Sequence, residues 1–152
     1  MKYNINGKFK IMQLADIQEI PNVSVDTVKL IDRALEEEKP DLVVLTGDQI
    51  KGYGMSYGKK SGNKKQEVFD VLSKILEPVT KREIPYAVTF GNHDRQVGIS
   101  NKEQFCDIYK KIGNCIGEQA EGIDGGGTYN IPIYSSDGTR VVNNIYLFDS
   151  GT

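Results

Sequence analysis

Asp16, Asp48 and the run Gly91-Asn92-His93-Asp94 hold the side chains best suited to chemistry in this sequence, and each follows a short apolar run. Carboxylates are hard ligands that also cancel the charge of divalent cations, and a carboxamide oxygen such as that of Asn92 extends a shell without adding charge. Two cations held roughly 3.5–4 Å apart clamp the attacking and leaving oxygens of a displacement at phosphorus. They also acidify a bridging water toward neutral pH. His93, beside Asn92, is placed to protonate a leaving alkoxide, and Asp94 is expected to orient its ring and hold the imidazolium form. Glycines ahead of Asp48 and Asn92 permit the tight backbone that turns a strand end toward a ligand. Singly, each residue has a plainer reading: a strand-end Asp is more often a turn former or helix cap, and a lone His a hydrogen-bonded loop residue. The same kinds of group behind three successive strands outweigh those readings.

The elements that must position them alternate. Phe9 to Ala15 reads as a buried strand, because it is mostly apolar and too short for a helix. Ser24 is a helix N-cap, and Val28, Ile31, Ala34 and Leu35 recur at helical spacing until Pro40 stops the helix. Asp41 to Thr46 is a continuous, β-branched apolar run, the signature of a fully buried parallel strand. A loop rich in Gly and Lys, 51–65, leads to an apolar stripe of Val68, Val71, Leu72, Ile75, Leu76 and Val79, ending near Pro78 to Arg82. Pro85 to Phe90 is the third strand. Ser100 and Glu103 form a capping-box pair ahead of a helix over Phe105, Ile108 and Tyr109. Two alternating strands, near 129–135 and 141–148, are joined by the Asp137-Gly138 turn. Strand-helix repeats of this kind predict an α/β layer with a parallel sheet. Polar residues beyond the carboxyl ends of such strands share one crevice, so the three strand ends are expected to be neighbours.

Composition narrows the class. The 152 residues suit a single domain, with 38% hydrophobic and 26% charged residues as in soluble globular proteins. A formal net charge of −2 gives no reason to expect nucleic acid as an obligatory partner. No apolar run reaches membrane-spanning length, and the N-terminus lacks a signal peptide's apolar stretch. Cys106 and Cys115 have no metal-ligand spacing and read as reduced core thiols, which together with the missing signal points to a cytoplasmic location.

Asp16-Ile17-Gln18, Gly47-Asp48 and Gly91-Asn92-His93-Asp94 resemble the first three motifs of the calcineurin-like metallophosphoesterases, and Lys39 to Asp48 is especially similar to that family. The resemblance covers Lys10 to Asp94 well and the terminal strands more loosely. It implies a β-sandwich flanked by helices, two divalent metal ions (Mn, Fe, Zn or Mg) and a phosphate-ester substrate. By resemblance, Asp16 ligates one metal, Asp48 bridges both, Asn92 ligates the other, His93 is the catalytic histidine and Asp94 its partner. Gln18 stands where the family usually has a histidine; its carbonyl is a ligand for a hard cation and shifts the expected metal toward Mn or Mg. His93 is the only histidine, so the family's later histidine motifs are absent from this sequence. The chain is therefore expected to be the N-terminal half of a longer domain, impaired in turnover on its own, and to form a homo-oligomer through the surface the other half would cover.

Two other functions stay open, a non-catalytic binding module that keeps the fold and a nuclease of the same superfamily. In the 51–65 loop the plain reading is a mobile solvated segment. The sharper one is that its lysines and Tyr53 or Tyr57 contact a substrate phosphate. Gly125-Gly126-Gly127 reads as a flexible lead-in to a strand.

Overall fold

The computed structural model describes residues 1–58 and 62–151. Strands β1 (Ile11–Leu14), β2 (Leu42–Thr46) and β3 (Tyr86–Thr89) form a parallel sheet with β2 in the centre. Ile11 pairs with Leu42 and Val43 with Tyr86, so the three strands run in step and end together. Helix α1 (Val25–Glu38) joins β1 to β2, and α2 (Lys64–Thr80) precedes β3. Beyond β3 come a 3-10 turn (Asp94–Val97) and α3 (Asn101–Gln104), which passes through a π-helical turn (Phe105–Tyr109) into α4 (Lys110–Ile112). Strands β4 (Tyr129–Tyr134) and β5 (Val141–Leu147) form an antiparallel pair, and Lys2 bridges to Tyr134 on the other side of β4.

Local sequence accounts for most boundaries. The Ser24 hydroxyl accepts from Asp26 N–H at the start of α1, and Lys39 leaves the helix in the left-handed region (φ +46) just before Pro40. The six stripe residues of α2 are all buried, each contributing about 1.5–3 kcal/mol by apolar burial. Asp32 of α1 binds Lys81 and Arg82 at 2.5 and 2.6 Å, fastening α1 to the end of α2. Ser100 and Glu103 make the reciprocal capping bonds. Tyr129, Ile131, Ile133 and Leu147 bring the buried face of the β4–β5 pair into the same core as the parallel sheet. The result is a mixed α/β arrangement of two sheets with helices. Among the described residues, no helix is long and apolar enough to cross a membrane.

Three expectations need correction. β1 is not a buried strand: it is an edge, paired on β2 only within its sheet, and Ile11 is 46% exposed. Apolar content alone does not separate an edge strand from a central one. Cys106 is exposed, not a core thiol. The 125–127 glycines are a close-packed crossing, not a slack one. A Cβ on Gly126 would meet the Asn101 carbonyl at 2.6 Å, and one on Gly127 (φ +85) would meet Thr89 Cα at 3.0 Å.

Candidate active site

The carboxyl ends of β1, β2 and β3 are laced together by backbone bonds. Asp16 N–H donates to the Gly47 carbonyl at 3.1 Å, and Gln18 N–H donates to the Asp48 carbonyl at 2.9 Å. His93 N–H donates to Asp48 Oδ1 at 2.8 Å. The buried Gln49 amide adds a further tie, donating to the carbonyls of Leu14 and Gly47. The structure therefore brings Asp16, Gln18, Asp48, Asn92 and His93 to one end of the sheet, with Asp48 at the centre.

This convergence needs unusual backbone. Asp16 (φ +55), Gln18 (φ +50) and Asp48 (φ +54) all sit in the left-handed region, at about 1–3 kcal/mol each for residues other than glycine. Glycine is demanded at two places by contact. A Cβ on Gly47 would stand 2.2 Å from Gly91 N, and one on Gly91 would stand 2.3 Å from Asp48 Oδ1. The strand ends approach this closely only because neither residue has a side chain.

Asp94 differs from its expected role. Its carboxylate is 1% exposed and makes no bond to the His93 ring. Instead Oδ2 accepts from the N–H groups of Asp48 and Gly91 at 2.7 and 2.8 Å, and Oδ1 accepts from Gln49 at 3.0 Å. A longer contact of 3.5 Å reaches Ile50 N–H. Burial pushes the Asp94 carboxyl up to about 6, against the pull of the N–H groups and with the help of the Asp48 charge. Its carboxylate locks the backbone beneath the site.

The partner of the His93 ring is Gln96, whose Oε1 lies 2.9 Å from Nδ1. A carboxamide oxygen only accepts, so a hydrogen bond in this contact is donated by Nδ1–H. Asn92 Nδ2 lies 3.2 and 3.3 Å from the two ring nitrogens, so the amide turns its nitrogen to the imidazole and its oxygen away. The i to i+3 spacing from His93 to Gln96 is the sequence signal for this contact.

Among the tyrosines expected near substrate, Tyr57 is buried with its hydroxyl on the Glu19 carbonyl, which removes it as a contact. Burial also raises its pKa far beyond the ordinary phenol value. Tyr53 does reach the site: its hydroxyl donates to Gln18 Oε1 at 3.2 Å. Of the loop lysines, Lys64 donates to the Val97 carbonyl and Lys65 pairs with Asp107. Lys51 lies over the Tyr53 ring, and Lys59 and Lys60 lie outside the described residues.

Among the described residues, no group of three or more His, Cys, Asp and Glu side chains is arranged to hold a metal ion. The gathered donors are two carboxylates and two carboxamides, an all-oxygen set suited to Mg or Mn more than to Zn or Fe.

A sequence model of the calcineurin-like phosphoesterase family matches residues 9–151. Among curated proteins the chain is similar to "Probable inactive purple acid phosphatase 29" of Arabidopsis thaliana, 28% identical over 99% of this chain and 42% of the relative. It is similar to "Phosphatase DCR2" of Saccharomyces cerevisiae, 33% identical over 95% of this chain and 27% of the relative. "Phosphodiesterase YaeI" of Escherichia coli is 30% identical over 69% of this chain and 34% of the relative. The chain thus spans less than half the length of these curated relatives. No solved structure gives a significant match.

Proposed function

We propose that this chain, which belongs to the calcineurin-like phosphoesterase family, contributes the β1, β2 and β3 strand ends of a site that hydrolyses a phosphomonoester or phosphodiester. One observation carries the reading: the backbone bonds of Asp16, Gln18 and His93 all close on the Gly47-Asp48 turn. In this assignment Asp16, Gln18, Asp48 and Asn92 are the residues that would hold divalent metal, with the rest of the shell from water or other protein groups. Bound metal would supply charge neutralisation at phosphorus and acidify a water. His93 holds its proton donor for the leaving oxygen at Nε2 when the ring is an imidazolium, while Gln96 fixes Nδ1. Relatives named a phosphatase and a phosphodiesterase support an ester of phosphate and leave the choice between the two ester types to assay.

A second reading is a phosphate-binding module without turnover. Gln18 favours it, because its oxygen already accepts the Tyr53 hydroxyl and it stands where an imidazole is expected. Three relatives carry the word inactive in their names. Mn-dependent hydrolysis of an aryl phosphate, read beside calorimetric Mn titration, separates the two. Turnover that drops by orders of magnitude in Asp48→Asn supports the esterase; Mn binding without turnover supports the module. The absence of both Mn binding and turnover would sink the metal-dependent reading of this chain. Self-association remains part of the proposal, supported by the β1 edge and by the exposed, stacked pair Tyr146 and Phe148. A monodisperse monomer in sedimentation at high concentration would remove it.

A further inference from the structure

Tyr53 touches two candidate groups at once. Its hydroxyl bonds Gln18 beyond β1, and its ring centroid lies 4.5 Å from that of His93 beyond β3, at an interplanar angle of 48°. On the same ring, Lys51 Nζ stands 4.9 Å from the centroid. The residue itself belongs to the segment following β2, so its side chain connects all three strand ends.

Close backbone contact fixes this placement. Gly52 lies against the turn that carries His93: a Cβ there would stand 2.1 Å from the His93 carbonyl oxygen and 2.8 Å from Val97 N. Its own N–H donates to the Ile50 carbonyl at 3.0 Å. The segment from Lys51 to Tyr53 is thereby pressed onto the His93 turn. An ordinary packing role for Tyr53 is the plainer alternative, and exposure argues against it. Tyr53 is 39% exposed, whereas Tyr57, which does serve the core, is 4% exposed.

The imidazole gains from such a neighbour. Its polar contacts are with Gln96 at Nδ1 and with the Asn92 amide near both ring nitrogens, and a proton donor gains from being held in one orientation before the reaction. A tilted aromatic contact at this distance restrains the ring plane. We propose that Tyr53 is a positioning residue, holding the His93 imidazole in one orientation and tying Gln18 into the same site. Its consequence for turnover rests on the phosphoesterase reading, whereas the contact itself does not.

Because His93 is the only histidine in the chain, its two imidazole carbon-bound protons are unambiguous in NMR spectra. Tyr53→Leu should move both signals, since the aromatic ring that shields them is gone, while Tyr53→Phe should leave them near their original positions. Tyr53→Phe should instead move the side-chain amide signals of Gln18, whose donor it lacks. With an aryl phosphate as the probe, Tyr53→Leu should lower kcat about tenfold with KM little changed, and Tyr53→Phe should recover most of that loss. Unmoved His93 signals in Tyr53→Leu would overturn the proposal, as would equal kcat in the Leu and Phe variants. If the parent chain does not turn over the probe, the phosphoesterase reading fails by itself and the NMR comparison alone decides the role of Tyr53.

Discussion

Asp94 Oδ2 accepts the backbone N–H of Asp48 at 2.7 Å, so the carboxylate beyond β3 holds the backbone that presents the carboxylate beyond β2. The same oxygen takes Gly91 N–H, and its partner takes Gln49 N–H. One buried side chain therefore satisfies amides from both sides of the crevice. Asp94→Asn keeps the shape but turns an NH2 group toward donors that need an acceptor. Each buried donor left without one costs about 1–3 kcal/mol, and at least one must be lost. Urea denaturation should show a stability loss of about 2–4 kcal/mol with an unchanged m-value. A loss below about 0.5 kcal/mol would show that the bonds are not needed.

The glycine ahead of Asp48 should tolerate even less. Gly47 has φ +103, and a Cβ on it would lie 2.2 and 2.6 Å from the backbone of Gly91. Backbone cannot swing aside as a side chain can, so Gly47→Ala must separate the ends of β2 and β3. Gly54 provides the control, with φ +70 and nothing within 4 Å of its added Cβ. Gly54→Ala should cost only about 1–2 kcal/mol, the left-handed penalty alone. Gly47→Ala should cost more than about 3 kcal/mol or abolish folding. Equal melting temperatures for the two variants would contradict the close approach.

Those two positions show where the sequence was legible. The central strand could be read because Leu42, Val43, Val44 and Leu45 are apolar on both faces, which only burial on both faces explains. The meeting of the three strand ends followed from parallel topology. β1 lies at the sheet edge although it uses the residue types of a core strand, because a missing neighbour leaves no mark in a strand's own sequence. A carboxylate next to an imidazole in sequence suggests a partner for its ring, yet the Asp94 side chain turns to the backbone N–H groups of Asp48, Gln49 and Gly91 instead. The Gly125-Gly126-Gly127 run suggests slack, because sequence shows the absence of a side chain but not the neighbour that requires it at Gly126 and Gly127.

The β4–β5 turn supplies a pH prediction. Asp137 accepts from the Ser135 hydroxyl at 2.5 Å and from the Thr139 N–H and hydroxyl at 3.0 and 2.8 Å. These bonds, the Ser135 hydroxyl foremost, hold its carboxyl down at about 2. A depressed folded-state pKa means stability that is present above the unfolded value of 3.8 and lost as pH falls through about 2. Amide exchange at Thr139, followed from about pH 5 to below about pH 2 and corrected for intrinsic rates, should show protection falling over that window. In Asp137→Asn the pH dependence should vanish. A drop centred near pH 4 in the parent would mean that the turn does not hold the ionised form.

Lys51 gives the prediction closest to substrate. Of the loop lysines within the described residues, Lys64 is engaged by the Val97 carbonyl and Lys65 by Asp107. Lys51 rests on the Tyr53 ring, a contact worth about 0.5–1 kcal/mol at an exposed site, which an incoming phosphate can outcompete. If the site takes a phosphate ester, Lys51→Ala should raise KM about three- to tenfold with kcat nearly constant, as removal of uniform binding requires. The effect should shrink with added salt, because a half-exposed charge is screened. Lys65→Ala, which breaks only an exposed ion pair, should leave KM unchanged. A fall in kcat instead would move Lys51 from binding the ester to stabilising its transition state, and no change in either constant would take it out of the site.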